Sequence, residues 1–141
     1  MSSGDYISKP NFYFYHVSFK NEMYNKNGIQ MTKESELPGT IRAYDLFTLQ
    51  SVFTHFNPPD FLALLHVLRR YAAGDARLFF TCFIDNTMEH DFLDLVPGKP
   101  LFNAVYRERY IREMLEESNW KPISLEPPGF DMAYQFVCEL K

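Results

Sequence analysis

Long apolar runs are missing from this chain of 141 residues. Its densest stretches, residues 61–68 and 78–84, are each interrupted by a polar residue. They fall well short of the roughly 18 residues a membrane-spanning helix needs, so no span is expected. Cysteine is scarce too. Cys82 and Cys138 both lie in apolar, strand-like runs, which reads as buried reduced thiols and not as a disulfide framework. Neither sign of charge dominates: 14 basic against 18 acidic side chains give a net charge of -4, which argues against a nonspecific nucleic-acid binder. Residues 1–5 carry no basic segment leading into an apolar one, so no secretory signal is read there and a cytoplasmic location is expected. The six glycines, at 4, 28, 39, 74, 98 and 129, stand singly, and no G-x-G occurs.

What the chain has in excess is aromatic side chains: 14 Phe, 9 Tyr and 1 Trp, which seek burial or a partner. No repeat or low-complexity segment is visible, so residues 1–141 are expected to form a single domain with a flexible start at 1–10. Residues 11–19 (NFYFYHVSF) read as a strand. Residues 20–40 read as a long polar loop, with turn signals at Asn27-Gly28 and Pro38-Gly39. Such loops are uncommon inside a domain unless functional or disordered.

From Tyr44 the pattern becomes regular. Residues 44–49 form a short strand candidate. Phe61, Leu64, Leu65, Leu68 and Tyr71 then recur at helical spacing. Asn57-Pro58-Pro59-Asp60 marks the start of that helix and Gly74 its expected end. Residues 78–84 (LFFTCFI) are apolar on both alternating faces, as in an interior strand covered by helices on both sides. A second helix is expected over 106–118, with Tyr106, Tyr110, Ile111, Met114 and Leu115 on one face and Asn119 as a left-handed cap. Strands at 121–125 and 134–140 close the chain. Strands alternating with amphipathic helices imply a three-layer α/β sheet.

Tyr44-Asp45-Leu46 leading into Ser51-Val52-Phe53-Thr54-His55, then a helix, a glycine turn and Leu78-Phe79-Phe80-Thr81, resembles class I S-adenosylmethionine-dependent methyltransferases. Glu116-Glu117-Ser118-Asn119-Trp120 and the two closing strands resemble that family's last helix and antiparallel hairpin. His16-Val17-Ser18, Tyr24-Asn25 and Gly28 resemble its third strand and following loop. The resemblance implies a Rossmann-like methyltransferase sheet that starts just before the third strand. The first two strands and their glycine-rich turn are then absent. Ser18 stands where the family often offers Asp to the adenine amine, and Gly74-Asp75 where it has two glycines.

The same resemblance places Gln50 and Ser51 near the methionyl part of S-adenosylmethionine, with His55 in the loop beyond. Ligands of α/β sheets do sit past the carboxyl ends of their strands. His55 is a candidate general base. A turn and helix-entry cluster that satisfies local backbone groups is the structural alternative for Ser51 and His55. Other constellations are weaker. Glu89-His90-Asp91 are adjacent and have no further His or Cys nearby, which does not make a metal site. Ser51, His55 and Asp85 could be drawn as a hydrolase triad, but no Gly-x-Ser-x-Gly elbow surrounds Ser51. His16 and His66 read as packed or surface imidazoles. Residues 12–15 lack interleaved Arg or Lys, so core or edge packing is expected of them instead of base stacking.

The expected function is that of a methyltransferase-like chain unable to hold its cofactor alone. The alternative is a non-catalytic interaction module or dimerising remnant of the fold. Removing the first two strands would leave the 46–50 strand with an open edge. Residues 12–18 are therefore expected to pair there, unless a second copy or a complementing chain does so. The methyl acceptor is expected to be set by the loop at 86–100.

Overall fold

The computed structural model describes residues 12–39, 43–129 and 132–141; the start at 1–10 lies outside them. β1 (Tyr44–Leu49) follows from alternation: Phe47 and Leu49 are buried, while Leu46 and Thr48 face outward. A 3₁₀ turn (Phe53–His55) leads to α1 (Pro58–Arg70). Asn57 caps that helix by accepting the Asp60 N–H at 2.9 Å, and Pro58 and Pro59 fill the first positions, where a missing N–H loses nothing. Phe61, Leu64, Leu65 and Leu68 form its buried face.

Gly74 does not end α1. The helix stops at Arg70, and β2 (Ala72–Ile84) begins at once, with Gly74 inside it. Sheet pairing sets the stop: Tyr71 is buried and its carbonyl accepts the Tyr44 N–H at 2.8 Å. The remaining elements are β3 (Phe92–Asp94), β4 (Ala104–Tyr106), α2 (Glu108–Glu117), β5 (Trp120–Glu126) and β6 (Tyr134–Leu140). The β3–β4 hairpin is not expected from the sequence. It also removes Tyr106 from the helix, because Tyr106 pairs with Phe92 and Ile84 and is fully buried. Ile111, Met114 and Leu115 are buried on α2 as expected, and Asn119 is left-handed with φ 61°.

β2 is the centre of the six-stranded sheet. It pairs in parallel with β1 and β4 and antiparallel with β6, which in turn pairs antiparallel with β5. The β5–β6 pair is the closing hairpin expected. Both helices pack on one face. Phe61 of α1 lies edge-on to Phe80, and the Arg112 guanidinium of α2 lies over Phe136, which stacks on Phe80. Phe53 and Phe61 stack at 3.7 Å, and Trp120 donates its indole N–H to the Leu65 carbonyl at 3.1 Å. No helix among the described residues covers the other face, so β2 is interior in the sheet but screened by helices on one side only. Phe79 and Phe83 are half-buried there and Leu46 is 60% exposed.

The strand expected at 11–19 is not formed within the described residues 12–19. Residues 12–18 carry no strand pairing, and only Phe19 bridges to Ile29. Phe12 to Tyr15 are 51–67% exposed, so they are neither core nor edge packing, although the Tyr15 ring sits against Gly39. The expected pairing of this segment beside β1 does not occur, since β1 pairs with β2 alone among the described strands. β-propensity measures fit to a neighbouring strand, and no described strand pairs with residues 12–18. Residues 20–39 carry no named helix or strand and are anchored to the fold. Met31 is 4% exposed, and Gly28 is so enclosed that a Cβ would lie 2.6 Å from the Lys20 nitrogen.

Candidate functional site

The carboxyl end of β1 builds the site. Gln50 and Ser51 are exposed there, and Ser51 adopts φ 54° while its N–H donates to the Thr81 hydroxyl of β2 at 2.8 Å. That bond turns the chain sharply out of the sheet and into the 3₁₀ turn carrying His55.

His55 is held from several sides. Its Nδ1 lies 3.1 Å from the Leu101 carbonyl. A carbonyl only accepts, so Nδ1 carries the proton and Nε2 keeps its lone pair in the neutral ring. The Tyr24 ring meets the imidazole edge-on at 5.3 Å. The buried Asn21 side chain donates to the His55 carbonyl at 2.8 Å and accepts the N–H groups of Met23 and Tyr24. Tyr106 donates to the Phe56 carbonyl at 2.5 Å. Burial, reinforced by Tyr110, pushes that phenol far above its ordinary range, so it stays a donor.

Leu101 has φ 56° although it is buried and branched, a conformation that costs about 1–2 kcal/mol for a residue with a Cβ. Its N–H donates to Asp94 Oδ2 at 2.9 Å, while Asp94 Oδ1 is buried without a hydrogen-bond partner. The β3–β4 connection therefore reaches back over the end of β1.

Of the sequence candidates, Gln50, Ser51 and His55 share the turn that follows β1. Asp85 does not join them: its carboxylate accepts from the Thr87 N–H and hydroxyl, which holds it below the usual carboxylate range. In the Glu89-His90-Asp91 cluster, Asp91 pairs with Arg109 at 3.0 Å. His16 bonds Ser18 at 3.1 Å, and His66 is half-buried on α1. Asn21, Tyr24, Asp94 and Leu101 were not singled out by spacing. The one legible sign was the unusual length of the 20–40 loop.

Gln50 and Ser51 stand exposed past the carboxyl end of β1, the end at which ligands of α/β sheets lie. Among the described glycines none forms a glycine-rich turn at these strand ends, and Gly39 is packed against Tyr15. Gly28 is packed against its own loop, and a Cβ at Gly74, Gly98 or Gly129 would meet nothing within 4 Å.

The fold matches part of the fold of solved S-adenosylmethionine-dependent methyltransferases. Among solved structures, the chain resembles the Burkholderia thailandensis 1,6-didemethyltoxoflavin-N1-methyltransferase with bound 1,6-didemethyltoxoflavin and S-adenosylhomocysteine, at TM-score 0.61 and 14% identity over 77% of this chain and 48% of that one. It resembles a SAM-dependent methyltransferase from Aquifex aeolicus at TM-score 0.53 and 20% identity over 82% and 56%. It resembles an O-methyltransferase family 2 protein from Planctomyces limnophilus, in complex with apigenin, at TM-score 0.56 and 14% identity over 81% and 35%. The chain thus spans 35–56% of the length of these three structures. No family model matches the sequence.

Proposed function

We propose that this chain is the acceptor-side portion of an S-adenosylmethionine-dependent methyltransferase site, one that needs a further body of fold to hold the cofactor. The observation that carries the reading is the turn after β1. It presents Gln50 and Ser51 at the carboxyl end of a parallel strand and fixes His55 with Nδ1 on the Leu101 carbonyl. S-adenosylmethionine, when bound, supplies an electrophilic methyl group. Gln50 and Ser51 would border its methionyl part, and His55 Nε2 would take the proton that the acceptor's hydroxyl or amine gives up on methylation. Residues 86–100, which carry β3 and lead into its hairpin with β4, would shape the acceptor's surroundings.

The missing flank belongs to whatever pairs with the β1 edge that no described strand occupies: a complementing polypeptide with a glycine-rich βα turn, or a second copy of the chain. If a second copy pairs there, no glycine-rich turn is added, and the molecule acts as a non-catalytic interaction module. A strand edge that no described strand pairs with favours some such partner.

The test is calorimetry and thermal melting with S-adenosylhomocysteine. The 141-residue chain alone should show no heat and no stabilisation at millimolar ligand, because a specific ligand must stabilise the folded state. Stabilisation of the chain alone would overturn the need for a second body. Absence of binding when a glycine-rich βα segment is supplied in trans, with the chain sedimenting as a dimer, would replace the methyltransferase reading with the interaction module.

A further inference from the structure

We infer that Asp94 is a positioning residue for His55, acting through the strained backbone of Leu101. The inference rests on the reading of His55 as the acceptor-side base.

The chain of contacts is short. Asp94, the last residue of β3, accepts the Leu101 N–H on Oδ2 at 2.9 Å. Leu101 in turn offers its carbonyl to His55 Nδ1 at 3.1 Å. Between these bonds the Leu101 backbone is left-handed, which a branched residue avoids unless its surroundings impose it. The buried Leu101 side chain anchors the loop, and the charge-assisted bond from Asp94 clamps its N–H. With that N–H released, Leu101 relaxes to negative φ and its carbonyl swings off the imidazole.

Two features argue that stability alone does not explain the arrangement. Asp94 Oδ1 is buried with no hydrogen-bond partner, and a polar atom left that way destabilises the fold. The strain at Leu101 works in the same direction. Together they hold one lone pair of His55, on Nε2, free for a proton. Asn21 and Tyr106 grip the backbone on either side of the ring but touch neither ring nitrogen, so the Asp94–Leu101 path is the one that selects the tautomer.

Long-range ¹H–¹⁵N NMR of the His55 ring in alkaline buffer tests this on the intact chain. Wild type should show the Nδ1–H tautomer. Asp94→Asn, whose side-chain oxygen can accept the same N–H, should keep it. Asp94→Ala should shift the ratio toward Nε2–H by about fivefold or more, as expected for one lost hydrogen bond. Wild-type His55 in the Nε2–H form overturns the inference even if Asp94→Ala fails to fold. So does a folded Asp94→Ala with an unchanged ratio. A chain with the Nδ1–H tautomer that never supports methyl transfer, even when complemented, sinks the general-base reading and leaves the positioning geometry standing.

Discussion

The same kind of side chain meets two fates in this molecule. On the helix-covered face, Phe53, Phe61, Phe80 and Phe136 are fully buried and meet ring to ring, at 3.7 Å for Phe53–Phe61 and 5.0 Å for Phe80–Phe136. At the other extreme, Phe12, Tyr13, Phe14 and Tyr15 lie half or more exposed in a segment without strand pairing. Composition does not separate the two groups. The covered set sits on α1, β2, β6 and the turn before α1, which the sheet and helices bring together, whereas the exposed set lies in a segment that pairs with none of the described strands. An aromatic residue carries apolar area and ring geometry to the fold, and only a facing surface turns these into stability.

The sharpest way to test that contrast is to delete one ring from the covered set. Phe80→Ala should destabilise the fold by about 3–5 kcal/mol, read as a lower denaturant midpoint, because it removes the ring against which Phe53, Phe61 and Phe136 all pack. An effect under about 1 kcal/mol would mean that the cluster repacks and that the contrast is overstated. The converse change is Phe12, Tyr13 and Phe14 all replaced by Ser. Monomer stability should move by no more than about 0.5 kcal/mol, the range for surface positions. If these rings serve a partner, sedimentation should show any self-association weakened by the same change.

The smallest effect concerns a polar group within the covered set. Asp60 is 5% exposed and accepts from Gln30 at 2.8 Å, and burial raises its carboxyl above the ordinary value despite the lowering influence of Gln30 and Asn57. A raised native pKa means that the folded state holds the proton more tightly than the unfolded chain. Ionisation therefore destabilises the fold, and the penalty grows as pH rises through the native pKa. Asp60→Asn should raise the melting temperature slightly at neutral pH and leave it unchanged at acid pH. A drop at neutral pH would show that the charge near the α1 N-terminus is worth more than its burial costs.

How much of this was legible in the sequence divides along the same line. β1 and β6 were readable to the residue because alternating burial is written locally, and the start of α1, though not its end, because Asn57 and the two prolines mark it. Residues 12–18 misled because aromatic β-propensity says nothing about whether a neighbour exists. Gly74 misled because the true stop is the Tyr44–Tyr71 hydrogen bond, a sheet contact. The three-residue strands β3 and β4 are too short to show a period. At the site, Ser51 and His55 stood out in a contiguous run. The groups that hold His55 did not, since Asn21 lies 34 residues away and Leu101 46 residues away, and each bond uses a backbone carbonyl common to every residue type.

Cys82 and Cys138 lie inside the covered face, free and buried. Burial pushes the Cys138 thiol up to about 12 and the Cys82 thiol higher still. The thiolate is the form that reacts with disulfides and oxidants, so neither sulfur is chemically available while the sheet is closed. Burial and a raised pKa both slow the reaction of these thiols in the folded protein. Exchange with glutathione, oxidation to sulfenic acid and capture by metals all wait on opening of the core, which makes the redox state of these two residues a record of whether the molecule has unfolded.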